Sequence, residues 1–142
     1  MDKAIYRRDE IQERLLLWAK SQTKPKHIFP VGLEERIGPD EITAMNRVRN
    51  LHAKKLNKKL FAENWIAFLY MDGVGIRYLL PTFLHLDMES GMFPMADMTP
   101  LFAVVSGISD AGMVSTRTRR IYGLLSCDQK RVVAYYYLWV VR

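Results

Sequence analysis

Hydrophobic residues near the start of the chain recur three and four positions apart. Ile11, Leu15 and Trp18 fall on one face of a helix at this spacing. The pattern predicts a first helix over residues 2–21, with Asp2 as its N-cap. Two prolines and a glycine within residues 25–32 then predict a connection inside one domain, because the flanking apolar faces need each other.

A second amphipathic pattern begins at residue 40 and is typical of a helix with one interruption, within residues 50–57. Asp40 is its predicted cap. The apolar face consists of Ile42, Met45, Ala53, Leu56 and Leu60. The opposite side carries Arg47, Lys54 and Lys58, with Lys55 and Lys59 beside them. Arg49 falls on the apolar side, so it is paired, extends its charged end to solvent, or marks the interruption.

The middle of the chain is its most apolar part. Residues 61–71 predict a short apolar helix or turn, and the two glycines within 72–75 predict a break, since glycine takes positive φ at little cost. Residues 76–86 are apolar enough to be buried. Pro81 would kink a helix here or begin one from its first turn.

The C-terminal region gives two conflicting indications. Val132 and the nine residues after it have high β propensity and no clean period, which alone favours a strand. Ser126 and Gln129, however, match the S-x-x-Q capping box that opens a helix. The capping box and the length favour a buried C-terminal helix. Together with a helix start at Thr99 and Pro100, the chain is predicted to be one all-α domain over residues 1–142, with about five to six helices.

Composition narrows the class of protein. The chain has 142 residues, of which 49% are hydrophobic and 25% charged, as in an ordinary folded domain. These values exclude a disordered tail, a collagen-like chain and a two-domain nucleotide enzyme. The apolar runs are too short to cross a bilayer, and charges stand where a signal peptide would be apolar. With a single cysteine, Cys127, the expected location is the cytoplasm, without membrane contact.

No set of residues indicates a catalytic or metal chemistry. The histidines at positions 27, 52 and 85 lie far apart, and there is no C-x-x-C pair, so no metal is expected. The glycines of 72–75 lack the rest of a dinucleotide or phosphate-loop motif, and an inter-helix turn explains them. Cys127 has no histidine placed near it by the sequence. We therefore predict a protein that is not an enzyme and uses no cofactor.

The charge is the main indication of a partner. The chain carries 21 Lys and Arg against 15 Asp and Glu, a formal net charge of +6. Such a balance favours an acidic protein partner or, as an alternative, nucleic acid. The candidate partner-binding residues are Arg47, Lys54, Lys55, Lys58, Lys59, Arg117, Arg119 and Arg120. A solvated helix face explains the same charges without a partner. Met88, Met92, Met95 and Met98 indicate core packing or a binding groove.

Two motifs in the last 80 residues resemble those of a small helical bacterial family of unknown function. The first runs from Trp65 through G-x-R-Y-x-L-P-x-F-L at 75–84, and the second contains L-S-x-x-Q at 125–129. The matching structural positions are Trp65, Gly75, Arg77, Tyr78, Pro81, Ser126 and Gln129. The resemblance implies an α-helical domain without catalytic residues. Some such proteins stand beside secreted toxins, which they neutralise.

The sequence therefore leads to two functional hypotheses. The first is a non-enzymatic protein-binding protein, in the form of a bacterial immunity protein that neutralises a cognate toxin. The alternative is a basic accessory protein that binds nucleic acid. Within the motif, we predict that Arg77 is buried and bonded within the chain, with a loss of about 3–5 kcal/mol on truncation. Exposure of Arg77 at the mouth of a pocket would instead favour a binding role.

Overall fold

A computed structural model describes residues 7–68, 70–90 and 123–140 of the chain. These residues form five α-helices and two 3₁₀ turns, at Leu33–Glu35 and Ala53–Lys55, and they contain no strand. The helices are α1 (Arg8–Ser21), α2 (Pro39–Val48), α3 (Lys58–Phe68), α4 (Gly73–Ser90) and α5 (Cys127–Val140). All five contribute to one hydrophobic core, which confirms the predicted all-α fold.

Helix α1 buries the face that its periodicity predicts. Ile11, Leu15 and Trp18 are buried in the core. The predicted N-cap at Asp2 is wrong, because Arg7 has extended backbone angles (φ −74°, ψ 165°) and the helix begins at Arg8. Negative charge in its first turn comes instead from two acidic residues at positions 9 and 10, which is favourable at a helix N-terminus.

The predicted interruption of the second helical region is present. Helix α2 ends at Val48, and the chain passes through the 3₁₀ turn Ala53–Lys55 before α3 begins. Asp40 does not cap α2, because Gly38 is its N-cap and Pro39 occupies the first turn. Proline needs no hydrogen bond to its nitrogen there, so the helix starts two residues earlier than an aspartate cap at position 40 would set it.

Aromatic side chains join α3 to α4. Phe61, Phe68 and Phe83 are buried, and their ring centroids lie 5.3 to 5.5 Å apart in tilted and edge-on arrangements. Asn57 directly precedes α3, and its side-chain oxygen accepts a hydrogen bond of 2.8 Å from the backbone nitrogen of Leu60, as at a helix N-cap. Of the apolar helix or turn predicted at 61–71, residues 61–68 form the inner part of α3.

Helix α4 is the longest and the most deeply buried of the described helices. The predicted break falls just ahead of it, and both glycines of 72–75 already belong to the helix. Only Gly32 has a positive φ among the described residues, so conformational freedom is not what Gly75 supplies. Instead, a Cβ at position 75 would lie 2.5 Å from the carbonyl oxygen of Ile28. Glycine at this position allows the connection after α1 to pass directly over α4.

Pro81 lies inside α4, where it removes one helical hydrogen bond. Because proline has no N–H, the carbonyl of Arg77 four residues earlier loses its donor within the helix. The side chain of Gln22, at the C-terminal end of α1, donates to that carbonyl from its Nε2 at 2.9 Å. One neutral amide therefore satisfies the carbonyl that the proline leaves without a donor, and it joins the two helices.

Helix α5 begins with the predicted capping box. The backbone nitrogen of Gln129 donates to Ser126 Oγ at 3.1 Å, and that of Ser126 donates to Gln129 Oε1 at 2.9 Å. Farther along, the hydroxyl of Tyr136 donates to the buried carboxylate of Asp87 at 2.5 Å, which joins α5 to α4. The local capping motif outweighs the β propensity of the residues that follow.

The bond from Gln22 to the Arg77 carbonyl can be tested with a double-mutant cycle. Gln22→Ala leaves the carbonyl without a donor and is expected to cost about 1–3 kcal/mol of stability. In a Pro81→Ala background, residue 81 has an N–H that can donate to the carbonyl of Arg77. Gln22→Ala should then change the free energy of unfolding by less than about 0.5 kcal/mol. Urea unfolding of the four proteins measures both values. Equal costs in the two backgrounds would contradict this role for Gln22.

The close approach at Gly75 makes a second prediction. Alanine is preferred to glycine in a helix by about 1 kcal/mol, yet Gly75→Ala should destabilise the protein by about 1–3 kcal/mol, because the backbone of Ile28 must move. Val74→Ala, at an exposed position in the same turn, is the matched control and should change stability by less than about 0.5 kcal/mol. A stabilised Gly75→Ala protein in thermal unfolding would disprove the contact.

Candidate functional site

One short stretch of the chain accounts for the excess of positive over negative charge. Residues 47–59, which we call the basic segment, contain two arginines and four lysines and no carboxylate. The remainder of the chain has fifteen basic and fifteen acidic residues, so the formal net charge of +6 corresponds to the basic segment alone. A charge localised in this way produces a field over one surface instead of a diffuse one.

The structure places the predicted cations of the basic segment on the outside of neighbouring elements. Arg47 is at the end of α2, Lys54 and Lys55 are in the second 3₁₀ turn, and Lys58 and Lys59 open α3. All five are exposed. The other three predicted partner-binding residues, Arg117, Arg119 and Arg120, lie outside the described residues.

Arg49 of the basic segment pairs with an acidic residue. Its guanidinium donates to Glu34 Oε1 at 2.6 Å and to the side chain of Asn46. This hydrogen bond lowers the pKa of Glu34. Arg49 lies just after the end of α2, so of the three alternatives for this residue the structure shows both the pairing and the interruption.

The two lysines at the start of α3 lie where positive charge destabilises a helix. A helix N-terminus carries a partial positive charge, so acidic residues there stabilise it and basic ones destabilise it. Helices α1, α2 and α5 have acidic residues in their first turns, whereas the first turn of α3 contains Lys58 and Lys59 and no acid. A choice of residues against local stability is typical of a functional surface.

Tyr78 positions the 3₁₀ turn that carries part of the basic segment. The residue is buried, and its hydroxyl oxygen accepts a hydrogen bond of 3.0 Å from the backbone nitrogen of Ala53. Lys54 and Lys55 follow directly, so a motif residue of α4 determines where these two cations stand. No local pattern in the sequence indicates this contact, because the two residues are 25 positions apart.

The prediction for Arg77 is wrong. Its side chain is only half-buried, and its guanidinium makes no hydrogen bond or ion pair with the described residues. The carbonyl that Pro81 leaves free is satisfied by Gln22, so a cation is not needed there. Of the other motif positions, Gly75, Pro81, Ser126 and Gln129 have structural roles in the fold, while Trp65 belongs to α3 with a side chain outside the described part.

A groove opens beside the 3₁₀ turn, between α1 and α4. Its volume is about 430 Å³, within the usual range for small-molecule sites. His52 and His85, 33 positions apart in sequence, both line it, and so do Lys20 and Lys54. Only the packing of α4 brings these two histidines together, and no local spacing in the sequence indicates it.

The described part of the fold assembles no metal site and no phosphate-binding loop from the other candidate residues. Over the described residues, no group of three or more His, Cys, Asp or Glu side chains is arranged to hold a metal ion. Asp72 accepts from the backbone nitrogen of Gly75 at 2.8 Å, so it caps α4 itself. Met88 is buried, whereas Met92, Met95 and Met98 lie outside the described residues.

Neither the hydropathy of the helices nor the comparisons with other proteins indicate an activity. None of the helices in the described part of the chain combines the length and apolar character needed to cross a bilayer. The chain matches no protein-family model, no curated protein and no solved structure. The resemblance to a helical bacterial family therefore stays a prediction that rests on its two motifs.

The contrast between neighbouring residues of the motif is testable. Tyr78→Phe removes the acceptor of the buried Ala53 N–H and should cost about 1–3 kcal/mol of stability. Arg77→Ala removes a half-buried stem with no bonded charge and should cost less than about 1 kcal/mol. Chemical denaturation gives both numbers. A larger loss for Arg77→Ala than for Tyr78→Phe would mean that the guanidinium has a stabilising role after all.

Proposed function

We propose that this protein acts by binding, and that its basic segment docks against an acidic surface of another protein. The observation that carries the proposal is the confinement of the whole formal net charge to residues 47–59. Complementary charge speeds association and selects the partner more than it adds affinity. The specific form that we propose is a bacterial immunity protein, located in the cytoplasm, that neutralises a cognate toxin.

The composition of the basic segment favours a protein partner over nucleic acid. Proteins that bind single strands combine basic residues with aromatic side chains on which bases stack. Residues 47–59 contain no Phe, Tyr or Trp, and the next aromatic residue, Phe61, is buried against Phe68 and Phe83. Phosphate contacts alone would give binding without sequence preference.

The lysines at the start of α3 support the same proposal. They oppose the helix dipole, so Lys59→Glu should raise stability by about 0.3–1 kcal/mol at low salt. Lys59 is exposed, so its replacement removes little packing. A residue whose replacement improves the fold is retained most readily when it serves binding.

Reversal of two charges tests this function. The double variant Lys55→Glu with Lys59→Glu should weaken binding to the product of the adjacent upstream gene by about tenfold or more, mainly through slower association. It should also fail to protect cells that express that product. Binding is measured by surface plasmon resonance at two salt concentrations, and protection by growth on co-expression.

The matched control is Lys26→Glu with Lys130→Glu, which changes the net charge equally at two exposed positions outside the basic segment. We expect this control to bind and protect as the unchanged protein does. Equal weakening by both variants would show a general charge effect and remove the basic segment from the site. A neighbouring gene product that is harmless and does not bind would overturn the immunity proposal. Binding of duplex or single-stranded DNA, lost at higher salt, would favour the nucleic-acid alternative.

A further inference from the structure

The groove between α1, the second 3₁₀ turn and α4 has an apolar floor. Carbon side chains from all three elements form it: Leu16, Ala19, Ala53, Leu56 and Leu86. Leu16 is 41% exposed although it is a leucine, and it lines this groove. An apolar chain of a ligand would cover surface that the described part of the protein leaves open to water.

The polar groups around the groove are mainly hydrogen-bond donors. Lys20 approaches from α1 and Lys54 from the 3₁₀ turn, against one carboxylate, Glu89. The Nδ1 atom of His52 accepts a hydrogen bond of 3.2 Å from the backbone of Lys54, which places the ring proton on Nε2 as a further donor. The formal charge of the lining is therefore positive even with both histidines neutral.

Tyr78 adds a buried donor to this set. Its side chain is 95% buried and lines the groove, and its hydroxyl oxygen already accepts from the backbone of Ala53. The hydroxyl proton has no acceptor among the described residues. Buried hydroxyl groups normally donate as well as accept, so an acceptor atom inside the groove would complete this site.

We propose that the groove binds a small molecule in which a carboxylate is joined to an apolar chain. The chain would lie on the apolar floor, and the carboxylate would accept from Tyr78 and pair with Lys20 and Lys54. The volume of about 430 Å³ suits a small molecule, whereas a protein surface would cover a much larger area. This site differs from the proposed docking surface for an acidic protein, since Lys54 is the only lysine or arginine of the basic segment that lines the groove.

Octanoate is the probe for this site, with isothermal titration calorimetry as the measurement. We expect one octanoate per chain. Acetate has the charge without the apolar chain, and octylamine has the chain with the opposite charge. Each should therefore bind at least about tenfold more weakly than octanoate. A carboxylate joined to an apolar chain is also present at the C-terminus of an apolar peptide. A short peptide of leucines with a free C-terminal carboxylate therefore distinguishes a peptide ligand from a small molecule. Tighter binding of that peptide than of octanoate would overturn the small-molecule proposal.

Variants of the lining identify where the probe binds. Lys20→Gln with Lys54→Gln should weaken octanoate binding by about tenfold, which corresponds to about 1.4 kcal/mol. The control Lys26→Gln with Lys130→Gln removes the same charge from exposed residues outside the groove and the basic segment, and should leave octanoate binding unchanged. Tyr78→Phe tests the hydroxyl, with circular dichroism showing whether that variant is folded.

Three results would disprove the proposal. They are no octanoate binding to the unchanged protein at millimolar concentration, equal binding of octylamine, or equal weakening by the two pairs of lysine variants. Because Lys55 and Lys59 test the protein partner and Lys20 with Lys54 test the groove, failure of one proposal leaves the other with its own result.

Discussion

The hydrogen bond from Gln22 to the carbonyl of Arg77 is the contact on which the arrangement of this protein depends. Pro81 interrupts the hydrogen bonding of the most buried helix, and an unsatisfied carbonyl there would cost as much as a lost hydrogen bond. Only a donor from another element can supply what the proline removed. Because Gln22 stands at the end of α1, satisfying the carbonyl also aligns α1 with α4.

Other polar contacts of α4 repeat this principle along its length. Tyr78 receives the backbone N–H of Ala53, and Asp87 receives the hydroxyl of Tyr136 from α5. Apolar packing is non-directional, so an apolar helix could be surrounded in several ways at similar free energy. Buried hydrogen bonds are directional and costly to break, and for this reason they select one arrangement of α1, the 3₁₀ turn and α5 around α4.

The same contacts give the surface its chemical character. Tyr78 places the 3₁₀ turn so that Lys55 faces solvent with the rest of the basic segment, while Lys54 also borders the groove. Two lysines open α3 against its dipole, so this surface is not explained by the stability of the helix that carries it. A localised basic surface and an apolar groove with several hydrogen-bond donors thus meet at the second 3₁₀ turn, where Lys54 belongs to both. Both proposals draw on this juxtaposition.

The sequence alone determined the features that depend on residues close together in the chain. The capping box of Ser126 and Gln129, the buried face of α1 and the interruption before α3 all follow from spacings of a few residues, where backbone geometry limits the outcomes. Only the tertiary structure decided that Gln22, and not the guanidinium of Arg77, donates to the carbonyl that Pro81 leaves free. It also decided that His52 and His85 line the same groove. Those pairs are joined by packing between distant segments, which many helix arrangements could satisfy and no local pattern specifies.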